Sequence, residues 1–412
     1  MYNKKKIVND PVHGFITIPS ELHYDLIQHP YFQRLNRIKQ LGMSFMVYPG
    51  AQHTRFQHSL GAMHLMDETI SQLRSKGNEI TEDEANAVLA AILLHDIGHA
   101  PFSHVLEDTI TKGVSHEEIS LLMIQQINKE LGGALDLALQ IFQNKYPKKF
   151  LHQLVSSQLD MDRLDYLIRD SFFTGVVEGA VGAARIIKML NVYDDELVVE
   201  SKGVYSIEKF LIARRMMYWQ VYLHKTSVSA EQVLIKTLER AKELTRRGKS
   251  LFSAPQFDYF LKNDVTKEDF LQKSEPLTYY AMFDDSDIMS AIKVWAMTCD
   301  DKVLSLLCRN LMDRRLFKME VREQKPLKQE ENALAKKFAK ALNVSEKEAH
   351  YLVTLHPVSA YTYRPKSDSI KVLCENGVLK DISDASDILN LTLLSKHEKK
   401  YYFGYVRDKD LI

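Results

Sequence analysis

Residues 95–104 read His-Asp-Ile-Gly-His-Ala-Pro-Phe-Ser-His and follow directly on an apolar run, residues 87–94. Thr81 and Glu84 form a capping-box pattern before that run, so we predict a helix over residues 82–96. Its core-facing stripe leads to Asp96, and a buried carboxylate is costly unless a partner compensates it. A bound cation is the simplest partner. Three histidines and one aspartate within ten residues are also hard to explain by packing, which favours a metal site.

Two other segments supply metal-ligand residue types beside predicted helices. His58 precedes an apolar stripe at helical spacing, and Asp162 lies on a third helical stretch among other charged side chains. A mixed set of imidazoles and carboxylates suits manganese, iron, zinc or nickel better than magnesium. Any one of these histidines, taken alone, could instead be a hydrogen-bonded core residue. The predicted ligands are His58, His95, Asp96 and Asp162.

The composition is that of an ordinary globular protein. Its 412 residues suffice for two or three domains. The 54 basic residues balance the 54 acidic ones, which argues against a protein that binds the phosphate backbone of nucleic acids through a net positive charge. Three widely spaced cysteines indicate a reducing compartment, and no apolar run is long enough for a membrane span. We therefore expect a soluble, cytoplasmic protein with neither a membrane nor a nucleic-acid partner.

The hydrophobic periodicity predicts a mainly α fold, in which a helical core with small β-hairpins precedes a smaller α+β C-terminal domain. We place the core in residues 1–240, a helical extension in residues 241–310 and the C-terminal domain in residues 311–412.

Short alternating or β-branched runs predict the strands. An edge strand is predicted over residues 15–18, and a small hairpin over residues 196–206 with its turn at Ser201-Lys202-Gly203. Asn376-Gly377 predicts a type I′ turn between two later strands. The strands predicted in the C-terminal domain cover residues 317–322, 371–375, 378–382 and 401–406.

Several strings occur in order between about residue 10 and residue 225, over half of the chain. They read DPVHGFI, QRLNRIKQLG, RFQHSLG, HDIGHAPFSH, SHEE, MDRLDYLIRD and YLHK. Together they resemble the HD-domain phosphohydrolases, whose pattern is H…HD…D, and in particular the branch of the dNTP triphosphohydrolases.

The resemblance implies an activity, a cofactor and a set of site residues. One divalent transition metal (Mn, Fe, Zn or Ni) is expected on the four predicted ligands, with Mg²⁺ allowed on the substrate phosphates. A metal-activated water is expected to attack the α-phosphorus of a dNTP, which releases deoxynucleoside and triphosphate. The expected catalytic residues are His99, His104, Glu107 and His116. The expected substrate contacts are Arg55, Arg163 and Arg214 for phosphates, Gln40, Tyr166 and Asp170 for the sugar, and Leu41 and Tyr222 beside the base.

The chain departs from the family at several positions. Glu107 stands where the family usually carries Asp, and Arg163 stands where the vertebrate member of the dNTP triphosphohydrolase branch carries Lys. Gln28 and Asn36 replace a charged pair that reads guanine in an activating nucleotide, so guanine-specific activation is not carried over. The family also implies a homo-oligomer, either a dimer or a tetramer.

Two alternative functions stay open on the sequence. The first is a phosphohydrolase or phosphodiesterase that acts on another nucleotide with the same metal chemistry. The second is a nucleotide-binding regulatory protein without turnover. Among the remaining polar residues, Arg169 is expected to make a weak surface pair on its own helix, and His13 and His53 are expected to be turn or capping residues.

Overall fold

A computed structural model of the chain describes residues 6–360, 369–386 and 398–411. Helices dominate these residues and the sheets are small, so the predicted fold class is confirmed. The helices up to the middle of the chain are α1 (Glu21–Gln28), α2 (Pro30–Gln33), α3 (Arg55–Ser75), α4 (Glu82–Leu94), α5 (Glu107–Ile110), α6 (His116–Glu130), α7 (Asp136–Phe142), α8 (Lys149–Val155), α9 (Met161–Thr174), α10 (Ala183–Met189), α11 (Val204–Met217) and α12 (Lys225–Arg246).

The later helices and the strands complete the described chain. The helices are α13 (Pro255–Lys262), α14 (Lys267–Gln272), α15 (Glu275–Met282), α16 (Asp285–Thr298), α17 (Lys302–Met312), α18 (Lys328–Leu342), α19 (Glu346–Ala349) and α20 (Ile382–Ala385). The strands are β1 (Ile7–Asp10), β2 (Gly14–Thr17), β3 (Leu190–Tyr193), β4 (Glu196–Glu200), β5 (Lys318–Arg322), β6 (Val353–Ala360), β7 (Lys371–Leu373), β8 (Leu379–Asp381) and β9 (Glu398–Tyr405).

Helix α4 begins where its sequence predicts. The Thr81 hydroxyl accepts from the Glu84 N–H, and the Glu84 carboxylate accepts from the Thr81 N–H at 2.9 Å. Residues 87–94 are all buried, as expected for the apolar run. The helix ends at Leu94, earlier than predicted, because His95 is its C-cap and the chain turns there. That turn places the HD pair at a helix end, where both side chains can reach one point.

Helix α3 packs against both α4 and α9, and this packing assembles the three predicted ligand segments. Helix α9 starts at its N-cap Asp160, which accepts from the Arg163 N–H at 2.7 Å. It ends at Gly175, whose φ of +75° is the left-handed conformation that closes many helices.

The hairpin predicted over residues 196–206 is displaced along the chain. Strands β3 and β4 pair antiparallel around Asp194 and Asp195, which have φ values of +50° and +61°. Aspartate tolerates this left-handed region better than most residues, so the turn forms there. Residues 201–203 instead form a short 3₁₀ turn that leads into α11, so the predicted turn position is wrong.

The four strands predicted in the C-terminal region form, and β6 is an additional strand that was not predicted from the sequence. These strands divide between two sheets. β5, β9 and β6 form one antiparallel sheet. β7 and β8 form the predicted hairpin, and β7 pairs in parallel with β4. The type I′ assignment is wrong, because this turn type needs a positive φ at both central residues and only Gly377 (+78°) has one. The domain limits after residues 240 and 310 stay predictions.

One continuous hydrophobic cluster extends from Ile16 to Val406, so the early and late helices share a core. Within the described residues, none of the helices combines the length and the apolar character that crossing a bilayer requires.

Candidate active site

Side chains from α3, from the end of α4 and from α9 meet at one point. The rings of His58 and His95 lie edge to face, with centroids 5.3 Å apart. Asp162 Oδ1 lies 3.1 Å from His58 Nε2 and 3.5 Å from His95 Nε2. Asp96 Oδ1 lies 3.2 Å from His95 Nε2, while its Oδ2 accepts from Arg55. The structure therefore brings the four predicted ligands together.

The hydrogen bonds of both imidazoles leave Nε2 available for a cation. His58 donates from Nδ1 to Asp165 Oδ2 at 2.7 Å, and His95 donates from Nδ1 to the Ile92 carbonyl at 2.6 Å. Because these partners can only accept, the neutral form of each ring carries its lone pair on Nε2. Both Nε2 atoms are buried without a hydrogen-bond partner, and together with Asp162 they offer ligand atoms within 4.8 Å of one another. A divalent cation fits this donor set.

The electrostatics of this pocket favour positive charge. Burial acts to lower the pKa of His58, but the neighbouring carboxylates of Asp162 and Asp165 outweigh it and raise the pKa to about 10. Burial acts to raise the pKa of Asp96, but the neighbouring His95 and Arg55 lower it to about 2. A divalent cation is attracted by the same carboxylates that hold these protons.

A buried ion-pair network lies behind His58. Asp165 is fully buried and accepts from His13 Nε2 at 2.6 Å as well as from His58. Arg169, also fully buried, donates to Asp165 at 2.9 Å and to Asp10 at 2.7 Å. Arg169 does pair with a carboxylate on its own helix, as expected. The prediction that this pair lies on the surface is wrong, because both side chains are buried. The signal that could have identified the network is the DPVHGFI string, which supplies both Asp10 and His13.

Gly61 makes room for this network, and its replacement by alanine is expected to be strongly destabilising. A Cβ at Gly61 would come closer than 3.0 Å to Asp165 and to the Arg169 guanidinium. Inside an exposed helix the same change would stabilise by about 1 kcal/mol. Here the clash disturbs a buried ion pair, and breaking such a pair costs about 3–5 kcal/mol. This loss should exceed the gain in helix propensity. Urea unfolding of Gly61→Ala should therefore show a net loss of at least about 2 kcal/mol.

The matched control is Gly182→Ala. An added Cβ at Gly182 meets no atom within 4 Å and φ there is not positive, so this variant should lose only the roughly 0.5–1 kcal/mol by which alanine is a poorer helix N-cap than glycine. Equal stability of the two variants would contradict the role assigned to Gly61.

The four predicted catalytic residues form a second group beside the metal ligands. The rings of His99 and His116 stack with centroids 3.9 Å apart, and His104 stands edge-on to both. Glu107 Oε1 lies 3.0 Å from His104 Nδ1 and 2.9 Å from His116 Nδ1. Burial acts to raise the pKa of Glu107, but the two neighbouring imidazoles lower it to about 2. Glu107 is thus an anion shared by two histidines.

The three histidines differ in access. His99 is buried, its Nδ1 lies 3.3 Å from the Asp96 carbonyl, and burial together with the charge of Arg55 holds its pKa well below the usual value. The His104 side chain is 67% exposed, and that of His116 is 19% exposed. His104 and His116 are therefore the members that a substrate can reach.

The three predicted phosphate-binding arginines already have protein partners. The Nε atoms of Arg163 and Arg214 are buried without a hydrogen-bond partner, so each guanidinium retains a donor for an incoming anion. The partners are Asp96 and Ser103 for Arg55, Asp160 for Arg163 and Gln158 for Arg214.

The predicted sugar and base residues are joined by hydrogen bonds and ring contacts. Tyr222 donates from its hydroxyl to Asp170 Oδ2 at 2.8 Å, and His53 donates from Nε2 to Asp170 Oδ1 at 2.7 Å. The Tyr166 ring centroid lies 6.5 Å from that of His58 and 6.2 Å from that of Tyr222. The turn or capping role expected for His53 is wrong, because its side chain is buried against Asp170.

A cleft of about 1760 Å³ opens on this side of the molecule. It exceeds the roughly 300–1,000 Å³ of common small-molecule sites, so a nucleotide would fill only part of it. Arg163 and Arg214 do not line it, whereas the other predicted substrate residues and one predicted catalytic histidine do: Gln40, Leu41, Arg55, His104, Tyr166, Asp170 and Tyr222.

Comparisons with known proteins identify the family of this chain. Residues 55–170, which carry all four predicted ligands, match the HD domain, and residues 181–258 match the HD associated region. The uncharacterized protein YwfO of Bacillus subtilis is 33% identical, over 98% of this chain and 93% of that protein. The crystal structure of a phosphohydrolase from Bacteroides thetaiotaomicron superposes with a TM-score of 0.95 at 57% identity, over 98% of this chain and all of that one. The chain belongs to the HD-domain phosphohydrolase family.

Some relatives of this HD-domain phosphohydrolase carry the name of a substrate. The human deoxynucleoside triphosphate triphosphohydrolase SAMHD1 is 31% identical, over 53% of this chain and 42% of the human protein. The SAMHD1 homolog of Dictyostelium discoideum is also 31% identical, over 66% of this chain and 57% of that protein. The HD-domain phosphohydrolase thus spans about half the length of these relatives.

Proposed function

We propose that this HD-domain phosphohydrolase converts deoxynucleoside triphosphates to deoxynucleoside and triphosphate. One observation carries the proposal. The unpartnered Nε2 atoms of His58 and His95 converge with Asp162, and Arg55, which is bound to Asp96 beside them, lines a cleft together with the predicted sugar and base contacts. The relatives named for dNTP hydrolysis support the substrate class.

The metal ligands in this proposal are the four predicted residues. A bound divalent cation supplies a Lewis acid and lowers the pKa of water toward neutrality. Asp165 keeps the hydrogen of His58 on Nδ1, so that Nε2 stays directed at the site. The proposed ions are Mn, Fe, Zn or Ni, with Mg²⁺ on the substrate phosphates. The proposed ligands are His58, His95, Asp96 and Asp162.

Three arginines are proposed to neutralise the triphosphate. Arg163 and Arg214 each have a buried, unpartnered Nε, and their protein partners hold the side chains in place before substrate arrives. Arg55 is bound to Asp96 and to Ser103 Oγ, which places its positive charge beside the metal ligands. Fixed positive charge of this kind stabilises a phosphoryl transition state more than it stabilises the ground state.

The chemistry requires one bond to form and one to break at the α-phosphorus. The oxygen of water bonds to phosphorus, the bond from phosphorus to the 5′-oxygen breaks, and that oxygen takes up a proton. His104 or His116 supplies this proton, and Glu107 stabilises the imidazolium form from the opposite ring nitrogen. His99 is enclosed and neutral, so it serves as a contact rather than as the acid.

The sugar contacts are proposed to favour a deoxyribose. Asp170 is held by Tyr222 and His53, and the buried Oε1 of Gln40 has no hydrogen-bond partner, so both can meet a 3′-hydroxyl. Tyr166 is proposed to pack on the sugar ring. Leu41 and the ring of Tyr222 would lie beside the base.

The test is a product assay on the wild type with each dNTP and each NTP in turn, with Mn²⁺, in water enriched in ¹⁸O. Reaction at the α-phosphorus is expected to yield deoxynucleoside and intact triphosphate, with the heavy oxygen in the triphosphate. Release of pyrophosphate or phosphate, or label in the nucleoside, would contradict the proposed reaction. Absence of turnover with all dNTPs would favour another nucleotide or a regulatory role. Light scattering on the same samples tests the predicted dimer or tetramer.

A further inference from the structure

The loop that follows the HD pair is held by a part of the chain outside both family matches. Tyr280 donates from its hydroxyl to the Gly98 carbonyl at 2.8 Å, and Asp285 Oδ1 accepts from the Phe102 N–H at 2.7 Å. Tyr280 lies on α15 and Asp285 begins α16, beyond the last matched residue, 258. We call residues 280–285 the clamp segment.

Asp285 ties the loop to the chain that leads into Arg55. Its Oδ2 accepts from the Lys39 N–H at 3.0 Å, and the Lys39 carbonyl accepts from Ser103 Oγ at 2.9 Å. Arg55 donates to the same Ser103 Oγ at 2.8 Å. One buried carboxylate therefore connects two backbone segments whose common contact, Ser103, orients a proposed phosphate-binding arginine.

The loop is strained where Asp285 binds it. Phe102 and Ser103 have φ values of +56° and +58°, and neither residue is glycine. Each left-handed residue of this kind costs about 1–2 kcal/mol, so the turn persists only while its surroundings enforce it. Phe102 is buried, and its N–H binds Asp285. Loss of that acceptor leaves a buried donor unpaired at the strained position.

Arg34 extends the connection on the other side of the loop. This fully buried arginine donates from Nε to the Phe283 carbonyl at 2.8 Å and from Nη1 to the Ile97 carbonyl at 3.3 Å. Its guanidinium lies 4.8 Å from the centre of the Tyr280 ring. The clamp segment thus contacts the loop at both ends, next to Asp96 and next to His104.

We propose that Asp285 is a positioning residue for phosphate-ester hydrolysis. It touches no reacting atom; it holds the left-handed turn at residues 102–103 and thereby the placement of Arg55 and His104. Its kinetic consequences rest on the proposed function, whereas its effect on the loop does not.

The experiment compares Asp285→Ala with Asp284→Ala. Asp284 is equally buried and is the N-cap of the same helix, where it accepts from the Ser286 N–H at 2.9 Å, but it does not bind the loop. Both variants should lose thermal stability. Hydrogen exchange should rise in the peptide containing residues 97–107 for Asp285→Ala alone. In that variant kcat should fall about 10²-fold with less change in KM and unchanged metal content, as expected for a misplaced catalytic group.

Asp285→Asn retains the side-chain volume and one acceptor oxygen, so its exchange and kcat should lie between those of the alanine variant and the wild type. The proposal would be overturned if Asp285→Ala and Asp284→Ala showed the same hydrogen exchange in residues 97–107 and the same kcat. It would also be overturned if Asp285→Asn showed wild-type hydrogen exchange and wild-type kcat. If the wild type hydrolyses no dNTP, the proposed substrate fails, and the exchange comparison still decides whether Asp285 positions the loop.

Discussion

Asp162→Asn is expected to release the metal and to reduce turnover by at least about 10³-fold, because a bound metal contributes several kcal/mol to the transition state. Asp162 offers the carboxylate oxygen that lies near both unpartnered Nε2 atoms, at 3.1 and 3.5 Å. The asparagine keeps the shape and removes the charge. Metal content by mass spectrometry and turnover of the wild-type substrate should fall together.

Asp83→Asn is a matched control for this substitution. Asp83 occupies the second position of α4, as Asp162 occupies the second position of α9, but it is exposed. Both variants lose a favourable charge near a helix N-terminus, worth about 0.3–1 kcal/mol. Only Asp162→Asn should lose metal. Full metal content and activity in that variant would contradict the assigned ligand set.

His116→Ala and His104→Ala are expected to separate proton transfer from metal binding. Replacement of the histidine that protonates the 5′-oxygen should lower kcat about 10²–10⁴-fold and leave the metal content unchanged. Both rings face the same Glu107 oxygen, at 3.0 and 2.9 Å, so the effects of the two substitutions should not add. Steady-state kinetics of the two single variants and the double variant measure this coupling.

His350→Ala is the control for removing an imidazole, since His350 lines the same cleft, is exposed and belongs to neither predicted residue group. It should retain wild-type kcat. If both His104→Ala and His116→Ala also retain it, neither residue is the acid, and proton donation must come from another group or from water.

The helices that carry the site could be predicted because their signals are local. The capping box at Thr81, the buried run over residues 87–94 and the periodicity around His58 depend on neighbours within a few residues. Four of the five described strands after residue 310 were also predicted closely, whereas β6 was missed. Turns were less predictable: the turn between β3 and β4 falls at Asp194 and Asp195, and that between β7 and β8 is not type I′, because small differences in φ select among turns.

The sequence could not predict that the ion pairs around Asp165 are buried, and so it could not predict how much they contribute to stability. Its i,i+4 pairing with Arg169 is visible in the sequence, and such pairs are usually weak and exposed. Burial changes the energetics, and burial depends on the approach of Asp10, His13 and Gly61 from other segments. Local periodicity does not indicate which distant segments will approach one another.

The sequence was sufficient for the family, the mainly α fold class and the set of residues proposed to bind metal, because residue types at helical spacing and ordered motifs carry that information. The tertiary structure decided which atoms face the proposed metal position, that Asp96 also binds Arg55, and that Asp285 accepts from the Phe102 N–H although it lies 183 residues later in the chain. The physical reason is that the tautomer of an imidazole, the burial of an ion pair and the strain of a turn are set by partners far away in the chain.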